Sequence, residues 1–94
     1  AQIRVTDGFL HAGPAHISAR HIGEVSALDR EQTRRVLGVD ADARAYLLTR
    51  PYLKRSVRLE IVDPADPTPY WVISTRRPDD LAGAIAAARS EVLG

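Results

Sequence analysis

A chain of 94 residues with a formal net charge of +1 is one small domain, able to bury only roughly 60 to 65 % of its unfolded surface in a single core. Apolar residues at 45 % and charged residues at 27 % are ordinary for a soluble globular fold, and a charge so near zero argues against a dedicated nucleic-acid binder. The absence of cysteine excludes disulfides, thiolate nucleophiles and cysteine-based zinc sites.

The stretch IRVTDGFLHAG (3–13) sets Ile3 and Val5 against Arg4 and Thr6 and then turns at Asp7-Gly8. Asp-Gly between alternating runs predicts a tight hairpin, because both turn residues tolerate positive φ. Gly8→Val is therefore expected to cost far more than Gly13→Ala. AHISARHIGEVSAL (15–28) continues as strand, with a phase shift near Ala19 to His21 that predicts a bulge or bend. At Asp29 the period changes. Asp29 is a candidate N-cap with Gln32 at the capping-box position, and Gly38 stands where a helix end favours left-handed geometry. A short helix over 30–37 follows, with Val36 and Leu37 as a sparse apolar face.

AYLLT (45–49) reads as a strand closed by Arg50-Pro51, and SVRLEIVD (56–63) as a strand with Val57, Leu59 and Ile61 on one face. PADPTP (64–69) is a loop, in which Asp63 and Asp66 are placed to bond nearby backbone, and YWVIST (70–75) is the next strand. Tyr70 and Trp71 must point to opposite faces, one into the core. Pro78, Asp79 and Asp80 open a helix over about 78–92, with Leu81, Ala84, Ile85, Ala88 and Val92 on one stripe. Strands joined by short turns imply antiparallel pairing. One helix cannot cover both faces of so many strands, so the expected fold is α+β, mainly β: a curved sheet closing into a partial barrel that the last helix caps.

No residue set has catalytic spacing. Serines lie in no GxSxG or SxxK frame, and the glycines form no phosphate-cradling motif. His16 and His21 stand five apart on a bent strand, and neither HxH nor HExxH occurs among His11, His16 and His21, so no metal, cofactor or enzyme activity is expected. Phe9 and Tyr46 read as core or edge packing. The one dense functional candidate is TRPYLKRSVR (49–58): Arg50, Lys54 and Arg55 in an inter-strand loop, and Arg58 on a polar strand face. Arg76 and Arg77 precede the last helix, with Asp79 and Asp80 beside Arg77 to offset it. These cations could meet an anionic ligand or simply be a solvated face.

The strand-and-helix order resembles the pleckstrin-homology-like split antiparallel barrel. The stretches RVTDGFLHAG, ISARHIGEVSALD and LLTRPYLKRSVRLEIVDPADPTPYWVISTRRPDDLAGAI are together similar to an actinobacterial membrane-protein family, domain of unknown function 3093, with DPTPYWxxSTRRP as the most specific element. That resemblance implies two membrane helices ahead of such a domain, and no assigned reaction. No stretch here approaches the roughly 18 apolar residues of a membrane span. A chain opening at Ala1 is accordingly expected to be a single domain, 1–94, excised from a membrane-anchored protein. The expected role is a non-catalytic interaction domain on the cytoplasmic face of the cell membrane, docking a protein or peptide. The alternative is weak binding of anionic lipid headgroups through the basic loop 50–58, with Arg50, Lys54, Arg55, Arg58 and Arg76 as the binding residues.

Overall fold

The computed structural model describes residues 3–93, so Ala1, Gln2 and Gly94 lie outside the described residues. Among the described residues seven strands form two sheets. The first is a meander of β1 (Ile3–Thr6), β2 (Phe9–Ala12) and β3 (Ala15–Ser18), all antiparallel. Its two hairpins turn where the chain can take positive φ, at Asp7 (54°) and Gly8 (76°), and again at Gly13 (61°). A short 3₁₀ turn, Ala19–His21, capped by the Ser18 hydroxyl, supplies the expected bend and hands the chain to the second sheet.

The second sheet holds β4 (Ile22–Leu28), β5 (Tyr46–Leu48), β6 (Ser56–Ile61) and β7 (Tyr70–Ser74) in the order β4-β6-β7-β5. Here two expectations are corrected. The sheets do not close into a barrel, and pairing is not antiparallel throughout: β5 runs parallel to β7, with Tyr46 beside Trp71 and Leu48 beside Ile73. The reason is burial. Every residue of β7 is buried, a demand met only by a central position with a neighbour on each side and a layer over each face. β5 therefore pairs with β7 rather than with its sequence neighbour β6, and the chain reaches β5 from β4 through a helical crossover.

That crossover contains α1 (Arg30–Leu37), started by the predicted capping box, in which Asp29 accepts from the Gln32 N–H (2.8 Å) and Gln32 accepts from the Asp29 N–H (2.9 Å). Gly38 ends it without the left-handed geometry expected there, at φ −118°. The helix and the loop after it cover the outer face of the second sheet. The Thr33 and Ser56 hydroxyls share a buried hydrogen bond of 2.8 Å, and the Asp42 N–H donates to the Tyr70 hydroxyl at 3.1 Å. Tyr70 and Trp71 do take opposite faces.

The inner face of the second sheet packs on the first. Leu10, Ala12 and Ile17 meet Val57, Leu59, Ile61, Trp71 and Ile73 in one core. Tyr46 packs its ring at a tilt against Trp71 of the adjacent strand (4.9 Å between centroids) and joins the sheets by donating its hydroxyl proton to the Ala12 carbonyl (3.1 Å). α2 (Pro78–Leu93) closes the gap at one side, with Ile85 and Ala88 buried, Leu81 and Ala82 packed at the margin, and Arg89 Nε donating to the Ile22 carbonyl at 2.8 Å. The buried stripe is narrower than expected, for Ala84 and Val92 are exposed.

Two outcomes follow from this packing. Ile85 is 1 % exposed, so Ile85→Ala should cost about 2 to 4 kcal/mol in urea denaturation, through lost burial and a cavity. An unchanged midpoint would remove α2 from the core. A Cβ on Gly8 would lie 3.1 Å from the Val92 methyl and impose strain at φ 76°, so Gly8→Val should cost about 1 to 3 kcal/mol. Gly13 shares the left-handed region, so Gly13→Ala is strained as well and the expected contrast narrows to the crowding at Gly8 and the branched side chain.

Candidate functional site

Placing β7 between β6 and β5 leaves residues 49–55 to cross the end of β7. The loop is held there as a strap. The Arg50 N–H donates to Ser74 Oγ (3.2 Å), the Leu53 N–H closes a turn onto the Arg50 carbonyl (3.0 Å), and the Thr75 N–H donates to the Arg55 carbonyl (3.0 Å). Pro51 confines Arg50 to extended geometry, which suits the exit from β5.

The strap has two flanks. On one, it and α1 enclose a groove of about 630 Å³, with Leu37, Pro51 and Leu53 as its apolar wall and Arg30, Arg50 and Lys54 among its lining. On the other flank a shallower hollow of about 520 Å³ lies between Tyr52, Leu53, Arg76, Arg77 and Ile3 at the start of β1. Leu53 contributes to both. Tyr52 stands on the strap 67 % exposed.

Of the five cations expected to bind, four gather at this end of the molecule. Arg50 and Lys54 line the groove, Arg55 is exposed beside Thr75 on the strap, and Arg76 lines the hollow. Arg58 does not join them. It lies half-buried on the outer face of β6 with its guanidinium 4.4 Å from the centre of the Tyr70 ring, a cation–π contact that belongs to the packing of the sheet. Sequence reasoning missed Arg30, Leu37, Tyr52 and Leu53. Tyr52 and Leu53 sit inside the basic stretch itself, where an exposed aromatic among cations was the available signal. Nothing local in α1 announces that it faces the strap.

The electrostatics leave the groove cationic. Its one carboxylate, Glu31, is held by Arg34, whose Nε donates to it at 3.0 Å. This hydrogen bond draws the Glu31 carboxyl below its ordinary value and raises Arg34 above its own. Among the described residues Arg30, Arg50 and Lys54 form no ion pair, and Arg77 reaches Asp80 only at 3.9 Å across two exposed side chains. The other lowered carboxyls lie elsewhere: Asp42, bonded first by the Arg44 side chain and then by its N–H, and Asp66, bonded by the Thr68 N–H and hydroxyl. Asp63 and Asp66 each accept a backbone N–H two residues on at 2.9 Å, as expected of turn-forming carboxylates.

The histidines fall differently. His11 and His16 are directly opposite on β2 and β3, with ring centroids 5.9 Å apart, and Phe9 lies 6.1 to 6.3 Å from both. Phe9, expected in the core or at an edge, is instead 40 % exposed on the outer face of the first sheet. His21 faces Asp63 at 3.7 Å. Among the described residues no three side chains of metal-binding type converge.

The molecule is thus a small two-sheet α+β domain with a cationic strap over its central strand and a groove beside it. The chain belongs to the family described as protein of unknown function (DUF3093), whose model matches residues 1–85. No curated protein and no solved structure matches the chain. Among the described residues no helix is long and apolar enough to cross a membrane.

The groove depends on α1 staying docked, and the buried Thr33–Ser56 bond is the polar link that docks it. Thr33→Val strands the Ser56 hydroxyl and should cost about 1 to 3 kcal/mol. Adding Ser56→Ala should recover part of that loss, a positive coupling read from a double-mutant cycle in urea. Strict additivity would show that the two hydroxyls are independent.

Proposed function

We propose that this is a non-catalytic interaction domain of a membrane-anchored protein, and that its strap end rests against the anionic cytoplasmic leaflet. The observation that carries the proposal is that Arg50, Lys54 and Arg55 lie on the strap that carries the exposed Tyr52, while Arg76 and Arg77 line the hollow beside that ring. Four cations with no ion pair among the described residues, Arg77 at 3.9 Å from Asp80, and an amphipathic aromatic ring suit the headgroup layer. β1 begins at this same end, since Ile3 lines the hollow with Tyr52 and Arg76. A membrane anchor ahead of Ile3, as the family resemblance implies, would bring the strap end toward the bilayer. That placement favours an anionic surface over a peptide partner as the strap's target. The stacking of a three-stranded sheet on a four-stranded one, with the last helix at one side, supports a pleckstrin-homology-like reading of the fold, departing from it at the parallel β5–β7 pair.

The magnitudes define the role. Each cation near a negative leaflet contributes about 1 kcal/mol within a Debye length of about 8 Å. Five cations supply at most about 5 kcal/mol, near millimolar affinity, which orients a tethered domain but does not anchor a free one. The isolated domain should sediment with phosphatidylserine-rich vesicles at low salt and release them near physiological salt. The triple change Arg55→Ser, Arg76→Ser and Arg77→Ser should abolish that sedimentation at an unchanged melting temperature. Vesicle binding that is absent at low salt, or that survives the triple change, overturns the proposal.

A further inference from the structure

We propose that the groove between α1 and the strap is a binding site for a soluble organic anion with an apolar body, such as an aromatic or aliphatic carboxylate or sulfonate. This does not rest on contact with a bilayer. The groove opens on the α1 flank of the strap, and Arg30, Thr33 and Leu37 from α1 take no part in the hollow on the other side.

Three observations converge on that ligand chemistry. The first is size and shape: about 630 Å³ between a helix and a loop is the scale of a small-molecule site, whereas an extended peptide would need a longer channel. The second is the wall. Leu37, Pro51 and Leu53 supply apolar surface, and the Thr33 hydroxyl is turned to Ser56 at 2.8 Å. The apolar body of a ligand fits there. The third is charge. Arg30 on the helix and Arg50 and Lys54 on the strap border this wall from both sides, and among the described residues none is paired with a carboxylate. The single acid in the lining, Glu31, is occupied by Arg34. Beside apolar surface the local dielectric is lower than in water, so cations lining the groove attract an anion more strongly than fully solvated ones do. A neutral ligand of the same shape would leave that attraction unused, and a cationic one would be repelled.

The two walls are also rigidly related, which a preformed site requires. α1 is fixed to β6 through Thr33 and Ser56, and the strap is fixed to β7 through Arg50 and Ser74. Both anchor strands are adjacent in one sheet, with Ser56 directly beside Ser74. Two neighbouring serines thus set the width of the groove.

The test uses 8-anilinonaphthalene-1-sulfonate as the probe and N-phenyl-1-naphthylamine, its uncharged analogue, as the control, titrated by fluorescence into the folded 94-residue domain in lipid-free buffer. The sulfonate should bind saturably with one-to-one stoichiometry, at least tenfold more tightly than the amine, and decanoate should displace it. Amide NMR shifts should move in residues 30–38 and 49–54. Arg30→Glu and Lys54→Gln each replace an exposed side chain and should each weaken the sulfonate at least fivefold while near-ultraviolet circular dichroism stays native. The Arg55, Arg76 and Arg77 triple change should leave it bound as before, so loss of vesicle binding and loss of groove binding are read separately. Absence of saturable binding, equal affinity for the uncharged amine, or wild-type affinity in both groove variants overturns the proposal.

Discussion

The structure turns on the burial of β7. Tyr70 to Ser74 are all inaccessible, so this strand must have a neighbour on each edge and a layer on each face. β6 takes one edge through the antiparallel pairing that a sequence neighbour provides. β5 takes the other, and because it runs parallel it cannot be joined to β7 by a tight turn. Every unusual connection in the molecule follows from this. The passage from β4 to β5 becomes a helical crossover that roofs the outer face, and the passage from β5 to β6 becomes a strap over the end of β7.

The strap is therefore basic at a place where the backbone is already tied down. Arg50 and Arg55, which bracket Lys54, have main-chain groups hydrogen-bonded to Ser74 and Thr75, so the charges are held at one end of the sheet. This differs from a charged loop at a hairpin tip, where cations sample a wide volume and any attraction must first overcome their freedom. The density of cations in one loop is plain along the chain, but a hairpin turn would disperse them into solvent. Their collection against a second wall is a consequence of topology.

The two sheets do complementary work. The first is a short meander that presents Leu10, Ala12 and Ile17 inward and leaves Phe9, His11 and His16 outward, and it could not stand alone with one face so small. The second supplies the inner apolar face of Val57, Leu59, Trp71 and Ile73 that completes the core, while its outer face mixes Ser56, Arg58, Tyr70 and Ser74 and needs hydroxyl and cation–π contacts to be covered. A barrel would have joined the two sheets edge to edge. Instead Tyr46 bridges them through its hydroxyl, and α2 fills the side left open.

Local pattern along the chain was enough for every element, although the strand ends fell one or two residues inside the expected ones. The capping box at Asp29 and Gln32, the turn at Asp7-Gly8, the bend at Ala19 to His21, the alternation of Val57, Leu59 and Ile61 and the start of α2 at Pro78 are all governed by contacts within a few residues, and such signals survive in one dimension. The opposite facing of Tyr70 and Trp71 was legible for the same reason, as strand geometry demands it. Strand order was not. Whether β5 pairs with β6 or with β7 depends on which strand must be buried on both edges, a comparison among elements more than twenty residues apart. The candidate groove was hidden with it, because Arg30 and Lys54 become neighbours only once α1 and the strap are brought over the same pair of strands. Arg58 misled for the converse reason: a basic residue in a basic run carries no local mark that an aromatic ring on the adjacent strand will take it up. Periodicity and caps are short-range and so could be read directly, whereas the partners of a strand and the surroundings of an exposed charge are settled by long-range packing, which only the folded chain contains.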